Sequence, residues 1–214
     1  MKKIISSAIF GLGVISAANA DDYKQYEVTI TNATPHHVFT PVLITTHSKN
    51  VNIFEIGLPA SDGLAHQAEN GDPSVLVAEL QDTYGVYNTF VGGFVPHGQQ
   101  ATYIIDANKK SRLSLTSMLA TTNDGFTGLN AVKLPKKSVT YYAHVYDAGS
   151  EINNEECAFI PGPPCDPQSG NARALNGEGF VTIHNGIHGQ GDLSPQTLDW
   201  RGPVAVITIK KIDD

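Results

Sequence analysis

The chain has few of the residues that mark several common classes of protein. Its 214 residues include only two cysteines, two methionines and one tryptophan. Its 14 Lys and Arg are outnumbered by 21 Asp and Glu, which gives a formal net charge of −7. This shortage of basic residues argues against nucleic-acid binding, because such proteins present a basic face to the phosphates. It argues equally against unaided docking on anionic lipid.

Long apolar runs are also missing, with one exception at the N-terminus. The run Ile4–Ala18 follows Lys2 and Lys3 and precedes a site with small residues at −3 and −1. This pattern predicts a secretory signal peptide cleaved after Ala20. The run is shorter than the roughly 20 residues of a membrane-spanning helix, and no transmembrane segment is predicted. Removal of the peptide would leave 21–214 as one secreted or periplasmic domain with a net charge of −9.

Several catalytic signatures are absent as well. The chain has no P-loop, no dinucleotide-binding fingerprint and no G-x-S-x-G nucleophile motif. Its two cysteines, Cys157 and Cys165, are predicted to form a disulfide, because no other thiol competes in an exported chain. A zinc site is disfavoured because neither cysteine has an adjacent Cys or His.

Alternating apolar and polar residues predict mainly strands. The predicted strands are 26–31, 38–46, 100–107, 112–120, 138–146 and 204–211. Ser61 is expected to cap a short helix that ends at Asn70-Gly71, and Asp72-Pro73 is expected to begin another that ends near Leu80. Strands dominate and helices are few, so the predicted fold is an all-β sandwich with short helical insertions.

An acidic segment follows the strand at 138–146. Asp147, Glu151, Asn153 and Glu155 occupy odd positions, which lie on one side of an extended backbone. Carboxylates gathered without Lys or Arg repel one another unless solvent or a cation intervenes. Hard oxygen donors of this kind suit calcium. The alternative is a solvated acidic loop, and the pattern does not match an EF-hand.

Two further groups of polar residues follow strand-like sequence. Asn123-Asp124-Gly125 is a turn signal that could also supply a carboxylate to a cation. His184 and His188 have the i, i+4 spacing of a helical metal site, but the glycines around them disfavour a helix.

Segments along the whole chain resemble the spondin N-terminal domain family, in particular its exported bacterial members. The resemblance covers essentially all of residues 21–214 in order. The segments that carry it are 28–35, 45–48, 53–61, 68–73, 117–119, 123–128, 146–151 and 202–208.

The resemblance implies a C2-like antiparallel β-sandwich, a secreted location, a bound divalent cation taken as calcium, and no enzymatic activity. In animal members the domain serves adhesion in the extracellular matrix. The family's metal carboxylates match Asp124 and the segment from Asp147 to Glu151, which makes these three residues the predicted calcium ligands. Asp106 is the nearest counterpart of a further family acid, and whether it or Glu155 joins the shell stays open.

The leading interpretation is therefore an exported calcium-binding adhesion module without catalytic activity. A backbone carbonyl near Leu119 or Ala120 would complete the cation's shell. Its partner would be a protein or glycan of the envelope or the extracellular space. The alternative from another class is a metal-dependent envelope hydrolase that uses His184 and His188, and a third interpretation is a structural domain without metal.

Overall fold

The chain folds into two antiparallel sheets with three α-helices among the residues described. The computed structural model describes residues 23–166 and 172–212, so the predicted signal peptide lies outside the described residues. The strands are β1 (Tyr23–Asn32), β2 (Leu43–His47), β3 (Val86–Val91), β4 (Gln100–Asn108), β5 (Arg112–Met118), β6 (Gly125–Lys133), β7 (Ser138–Ala143), β8 (Val145–Asp147), β9 (Thr182–Ile183) and β10 (Ala205–Lys211). The helices are α1 (Asp62–Asn70), α2 (Ser74–Asp82) and α3 (Pro195–Leu198). The predicted all-β sandwich with short helical insertions is confirmed.

The four-stranded sheet has the order β4-β1-β10-β7. Strand β1 alternates between buried and partly exposed residues, so Val28 and Ile30 point into the sandwich. Ile30 pairs with Ile207 on β10, which is also fully buried. The chain's first and last described strands are therefore neighbours in the middle of this sheet.

The six-stranded sheet has the order β3-β2-β5-β6-β8-β9 and is covered on both faces. All five residues of β2 are buried. Ile44 belongs to the core between the two sheets, whereas Leu43 packs with Leu64 of α1 and Leu76 of α2. The two helices thus form a third layer, which explains why β2 is buried on both faces.

The first helix begins where its capping residue predicted, and the second begins one residue later. Ser61 Oγ accepts from Leu64 N–H at 3.2 Å, and Gly71 ends α1 with a φ of 71°. Asp72 Oδ1 accepts from Ser74 N–H at 2.9 Å ahead of α2. This helix begins one residue later than expected, a difference within the ordinary uncertainty of helix ends.

The strand predicted at 138–146 is two strands in different sheets. Ala143 of β7 pairs with Ala205 in the four-stranded sheet. Two residues later, Val145 of β8 pairs with Thr127 in the six-stranded sheet. The chain crosses from one sheet to the other at His144, whose carbonyl accepts a 2.9 Å hydrogen bond from Thr127 Oγ1. This crossover brings the end of β8 to the start of β6.

The segment that follows β8 is mostly irregular and is held by a disulfide and a small apolar cluster. Cys157 and Cys165 are bonded, with their Cα atoms 4.8 Å apart, which confirms the predicted pairing. The cluster contains Ile160, Cys165, Ile187, Leu193 and Leu198. None of the helices in the described part of the chain is both long and apolar enough to span a bilayer.

Candidate cation site

Asp124 and Asp147 lie side by side at one end of the six-stranded sheet. Gly125 at the start of β6 pairs with Asp147 at the end of β8. Ala148 N–H donates to the carbonyl of Asp124 at 3.1 Å, which extends this pairing by one step. Two residues 23 positions apart in sequence are therefore brought together by the strand register.

A tight turn presents Asp124. Thr122 Oγ1 donates to the carbonyl of Leu119 at 2.7 Å and accepts from Gly125 N–H at 2.9 Å. A Cβ on Gly125 would lie 2.7 Å from Thr122 Oγ1, so the turn needs glycine there. The turn predicted from Asn123-Asp124-Gly125 is confirmed, and its aspartate is fully buried.

The two oxygens of Asp124 have different surroundings. Oδ2 accepts from Ser150 N–H at 2.8 Å, Ser150 Oγ at 3.2 Å and Glu151 N–H at 3.0 Å. Oδ1 is buried and has no hydrogen-bond partner. A buried polar atom without a partner is costly, and such an atom in a folded protein points to a missing ligand or water.

Asp147 is also buried and is held by its own loop. Its Oδ1 accepts from Gly149 N–H at 2.6 Å, and its Oδ2 accepts from the side-chain amide of Asn153. Gly149 adopts a φ of 71°, and a Cβ there would lie 2.3 Å from the carbonyl oxygen of Phe180. The backbone beyond Asp147 is therefore a turn rather than an extension of β8.

The pair carries unfavourable negative charge. Burial and, to a smaller extent, the charge of Asp147 raise the pKa of Asp124 from 3.8 to about 7, against the lowering effect of the hydrogen bonds from Glu151 and Ser150. Burial likewise raises the pKa of Asp147, with a smaller contribution from Glu178. No basic side chain is among the groups that set these two pKa values.

Glu151 contributes its backbone to this site and directs its side chain elsewhere. Its Oε1 accepts from Ala174 N–H at 2.8 Å, and its Oε2 is buried without a partner. Burial raises the Glu151 pKa to about 7, while the nearby charges come from Glu69, which raises it, and Arg173, which lowers it. Arg173 in turn contacts Glu69 at 2.5 Å. The third predicted carboxylate thus faces a different part of the molecule from Asp124 and Asp147.

Asp106 and Glu155, whose place in the cation's shell the sequence left open, both lie outside the Asp124–Asp147 pair. The Glu155 carboxylate accepts three backbone hydrogen bonds, from His188 and Gly189 at 2.6 Å each and from Gln190 at 3.0 Å. Asp106 lies on β4 opposite Gln25, near the other end of the four-stranded sheet. Neither carboxylate is among the charges that shift the pKa of Asp147.

The carbonyls expected to complete a shell already accept hydrogen bonds. That of Leu119 accepts from Thr122 Oγ1, and that of Ala120 contacts His37 Nδ1 at 2.9 Å. Across residues 23–166 and 172–212, no group of three or more His, Cys, Asp or Glu side chains is arranged to hold a metal ion. The structure therefore brings together two of the three predicted ligands, with the third in the adjoining loop.

The two histidines of the alternative site do not present free lone pairs to a common point. His184 Nδ1 accepts from Gly186 N–H at 3.0 Å, so the proton of the neutral ring is on Nε2. His188 Nε2 contacts the carbonyl of Asn185 at 3.0 Å, so it also carries a proton. Burial, with smaller contributions from His37 and His188, lowers the pKa of His184 from 6.5 to about 4.

Sequence reasoning missed the residues that separate Glu151 from the aspartates. Asn153 was named in the acidic segment as a source of oxygen, and the structure instead has its side-chain amide donating to Asp147. Glu69, Arg173 and Ala174 carried no sequence signal for these contacts, because they reach Glu151 from distant parts of the chain.

A comparison with protein-family models finds a match to the family described as Spondin_N over residues 21–154, more than half of the chain. The matched region includes Asp124, Asp147 and Glu151, and it ends before the disulfide and the two histidines. A comparison with curated proteins finds no match.

Proposed function

This chain belongs to the Spondin_N family, and on that premise we propose that it is an exported binding module in which Asp124 and Asp147 hold a calcium ion. The observation that carries the proposal is the buried, unpartnered Oδ1 of Asp124 beside a second buried carboxylate. A divalent cation would give this atom a partner and offset the repulsion between the two charges.

The oxygen donors of this site are of the kind that calcium prefers. Both groups are carboxylates, and calcium binds carboxylate, amide and carbonyl oxygens in flexible geometry with several waters. Asp124 would bind through Oδ1, because Oδ2 is occupied by three donors. Asp147 would bind through the lone pairs that Gly149 and Asn153 leave free. Glu151 would contribute through water, because its side chain faces Ala174.

The biological role that we propose is adhesion or ligand binding rather than catalysis. A cation here would fix the β5–β6 turn to the loop after β8, and so order the surface at this end of the sandwich. Calcium activates water poorly, and a site of this kind is suited to holding loops. The proposed partner is a protein or glycan of the envelope or the extracellular space.

The hydrolase alternative has less support. A zinc ion would need neutral imidazole lone pairs, and the His184 Nδ1 lone pair already accepts from Gly186. The test that separates the proposals is the metal content of the purified protein together with its melting temperature in calcium and in chelator. Calcium binding with a higher melting temperature supports our proposal. Stoichiometric zinc, or no response to calcium, would contradict it.

A further inference from the structure

The basic residues of the chain gather at one end of the sandwich, which we call the basic end. The strand register of the four-stranded sheet defines it. Tyr23 at the start of β1 pairs with Asn108 at the end of β4. Lys210 near the end of β10 pairs with Ser138 at the start of β7. These four strand ends therefore lie side by side.

The six-stranded sheet contributes to the same end. Arg112 at the start of β5 pairs with His47 and with Lys133, the last residues of β2 and β6. The chain passes from one sheet to the other here twice, through the β4–β5 turn at 109–111 and the β6–β7 turn at 134–137. The basic end is therefore built from turns and strand ends of both sheets.

This end holds most of the positive charge of the molecule. Residues 23–166 and 172–212 contain twelve Lys and Arg, and ten of them lie here: Lys24, Lys49, Lys109, Lys110, Arg112, Lys133, Lys136, Lys137, Lys210 and Lys211. The acids of this end among the same residues are Glu27, Asp82 and Asp106. The acids beyond the described residues would still leave the basic residues in excess if all were counted here, and they are Asp21, Asp22, Asp213 and Asp214.

The rest of the molecule has the opposite charge. It carries Arg173 and Arg201 against fourteen Asp and Glu among the described residues. Strand β6 joins the two regions, because it runs from beside the Asp124–Asp147 pair to Lys133, a length of roughly 27 Å at about 3.4 Å per residue. The net charge of −7 is thus the sum of two poles of opposite sign. An argument from net charge against docking on anionic lipid does not apply to the basic end.

The kind of basic residue favours an extended partner surface. Nine of the ten are lysines, and Lys110, Lys136 and Lys137 are exposed in the two turns that join the sheets. A lysine is a flexible point charge, whereas recognition of a single phosphate or sulfate group favours the rigid fork of arginine. Charges carried on separate turns suit a broad anionic surface, which meets all of the turns at once.

A fully exposed aromatic side chain lies among these charges. Tyr84 is 101% exposed, in the turn that precedes β3. The carbonyl of the next residue, Gly85, accepts from Ser48 N–H at 2.7 Å, which places this turn beside Lys49. Tyrosine has an apolar ring and a polar hydroxyl, and it is enriched where membrane meets water. A lipid surface accounts for both the lysines and the exposed ring.

We propose that the basic end docks the protein on a membrane surface rich in anionic lipid headgroups, with the lysines at the headgroups and Tyr84 at the interface. Each Lys or Arg near such a surface adds to the attraction, which falls off within a Debye length. Docking in this way leaves the Asp124–Asp147 pair facing away from the membrane. The inference goes beyond the proposed function and needs no calcium.

The test is cosedimentation of the purified protein with lipid vesicles in the presence of chelator. Vesicles of phosphatidylcholine alone are compared with mixed vesicles that also contain phosphatidylglycerol, so that the two kinds differ in charge. We expect binding to the mixed vesicles only, and we expect it to weaken as the salt concentration rises. Absence of binding to mixed vesicles at low salt, or equal binding to both kinds, would overturn the proposal.

Charge reversals at the two ends of the molecule test the assignment. Lys110→Glu and Lys136→Glu change exposed turn residues and should each weaken binding to mixed vesicles by about tenfold or more. Arg201→Glu makes the same change in net charge at the opposite end, because β10 begins there beside the end of β1. It should bind as the parent does. Equal losses in all three variants would show that net charge alone governs binding, against the proposal.

A second arm separates a lipid surface from a soluble polyanion. Tyr84→Ser should weaken binding to mixed vesicles and leave any binding to polyphosphate unchanged, because only a lipid interface holds the ring. Binding to polyphosphate or heparin without binding to mixed vesicles would assign the basic end to a soluble polymer and overturn the proposal.

The same protein in calcium separates this inference from the proposed function. A calcium effect on the melting temperature without vesicle binding would overturn this inference alone. Vesicle binding that depends on Lys136, in a protein that does not respond to calcium, would support the inference and overturn the calcium role.

Discussion

The backbone N–H of Glu151 donates to Oδ2 of Asp124 at 3.0 Å, while the carboxylate of the same residue turns away to accept from Ala174 at 2.8 Å. Glu151 thereby supports one buried carboxylate with its main chain and adds no second charge beside it. The candidate site depends on Asp124 and Asp147, and substitutions at the three acids should separate these roles.

Calcium should raise the melting temperature of the parent protein through Asp124 and Asp147. A ligand at about 100 times its Kd stabilises the native state by roughly 2.7 kcal/mol. In a chain of this size that corresponds to an increase of about 5–10 °C. Asp124→Asn and Asp147→Asn should abolish the increase, whereas Glu151→Gln should keep most of it.

The same variants provide an internal control. In chelator, Asp124→Asn should be at least as stable as the parent, because it removes a buried charge that no cation offsets. Asp106→Asn, at the far end of the other sheet, should match the parent in both buffers. If Asp124→Asn still responds fully to calcium, the ion binds elsewhere.

The stability of the calcium-free protein should depend on pH through Asp124. Its pKa is about 7 in the folded state, against 3.8 for the unfolded group. The folded state therefore binds the extra proton between these values, and stability is lost as pH rises from about 4 to about 7. The slope for one proton is about 1.4 kcal/mol per pH unit.

Titration of histidine changes the stability in the opposite direction with pH, so the experiment must cancel its contribution. The pKa of His184 is lowered from 6.5 to about 4, so its contribution is lost as pH falls through that window. The quantity to measure is therefore the difference in unfolding free energy between the parent and Asp124→Asn, in chelator at pH 5, 6 and 7. The unfolding free energy of Asp124→Asn should rise relative to that of the parent as pH rises. A difference that does not change with pH would contradict a buried, protonated Asp124.

The turn after β8 should be intolerant of a side chain at Gly149. This residue has a φ of 71°, and a Cβ would lie 2.3 Å from the carbonyl oxygen of Phe180. Gly149→Ala should therefore cost about 1–3 kcal/mol of unfolding free energy and weaken the calcium response. Gly93→Ala, where a Cβ meets nothing within 4 Å, is the matched control. Equal stabilities for the two variants in thermal melts would count against the observed turn.

Loss of the disulfide should loosen one end of the molecule and leave the sheets folded. The bond between Cys157 and Cys165 closes a short loop, so its removal should cost about 2–3 kcal/mol. Trp200, the only tryptophan, packs against the apolar cluster beside the disulfide. The double variant to Ser should shift the emission of Trp200 while the far-ultraviolet circular dichroism stays that of the parent. Complete loss of the strand signal would show that the bond supports the whole sandwich.

Much of the fold was predictable because local chemistry and global structure agree. Ser61 and Gly71 mark the ends of α1, and the alternation in β1 follows from its one buried face. Strands β3, β6 and β9 were missed. β6 begins directly after the turn at Asp124 and has two glycines among its first four residues, so its sequence resembles a loop.

The site was only partly predictable. Asp124 and Asp147 come together because Gly125 pairs with Asp147 in the register of β6 and β8. The family resemblance named both carboxylates as ligands of one site, but the register itself was not predicted because β6 was missed. The direction of the Glu151 side chain did not follow, because the expected alternation assumes extended backbone and the chain turns at Gly149. The donor that holds this side chain, Ala174, lies 23 residues further along and carries no sequence signal.

The last prediction concerns zinc and catalysis. The proton positions assigned to His184 and His188 leave both Nε2 atoms as donors, and the His184 Nδ1 lone pair is engaged by Gly186. Zinc binding would require the loss of these hydrogen bonds, and Glu155 cannot serve as a general base while three backbone N–H groups hold its carboxylate. We therefore expect zinc to leave the melting temperature unchanged, and we expect no turnover of ester, phosphoester, peptide or glycoside substrates with or without it. Zinc-dependent hydrolysis that disappears in His188→Ala and persists in Asp124→Asn would contradict the proposed calcium-binding module. The envelope hydrolase would then be the better interpretation.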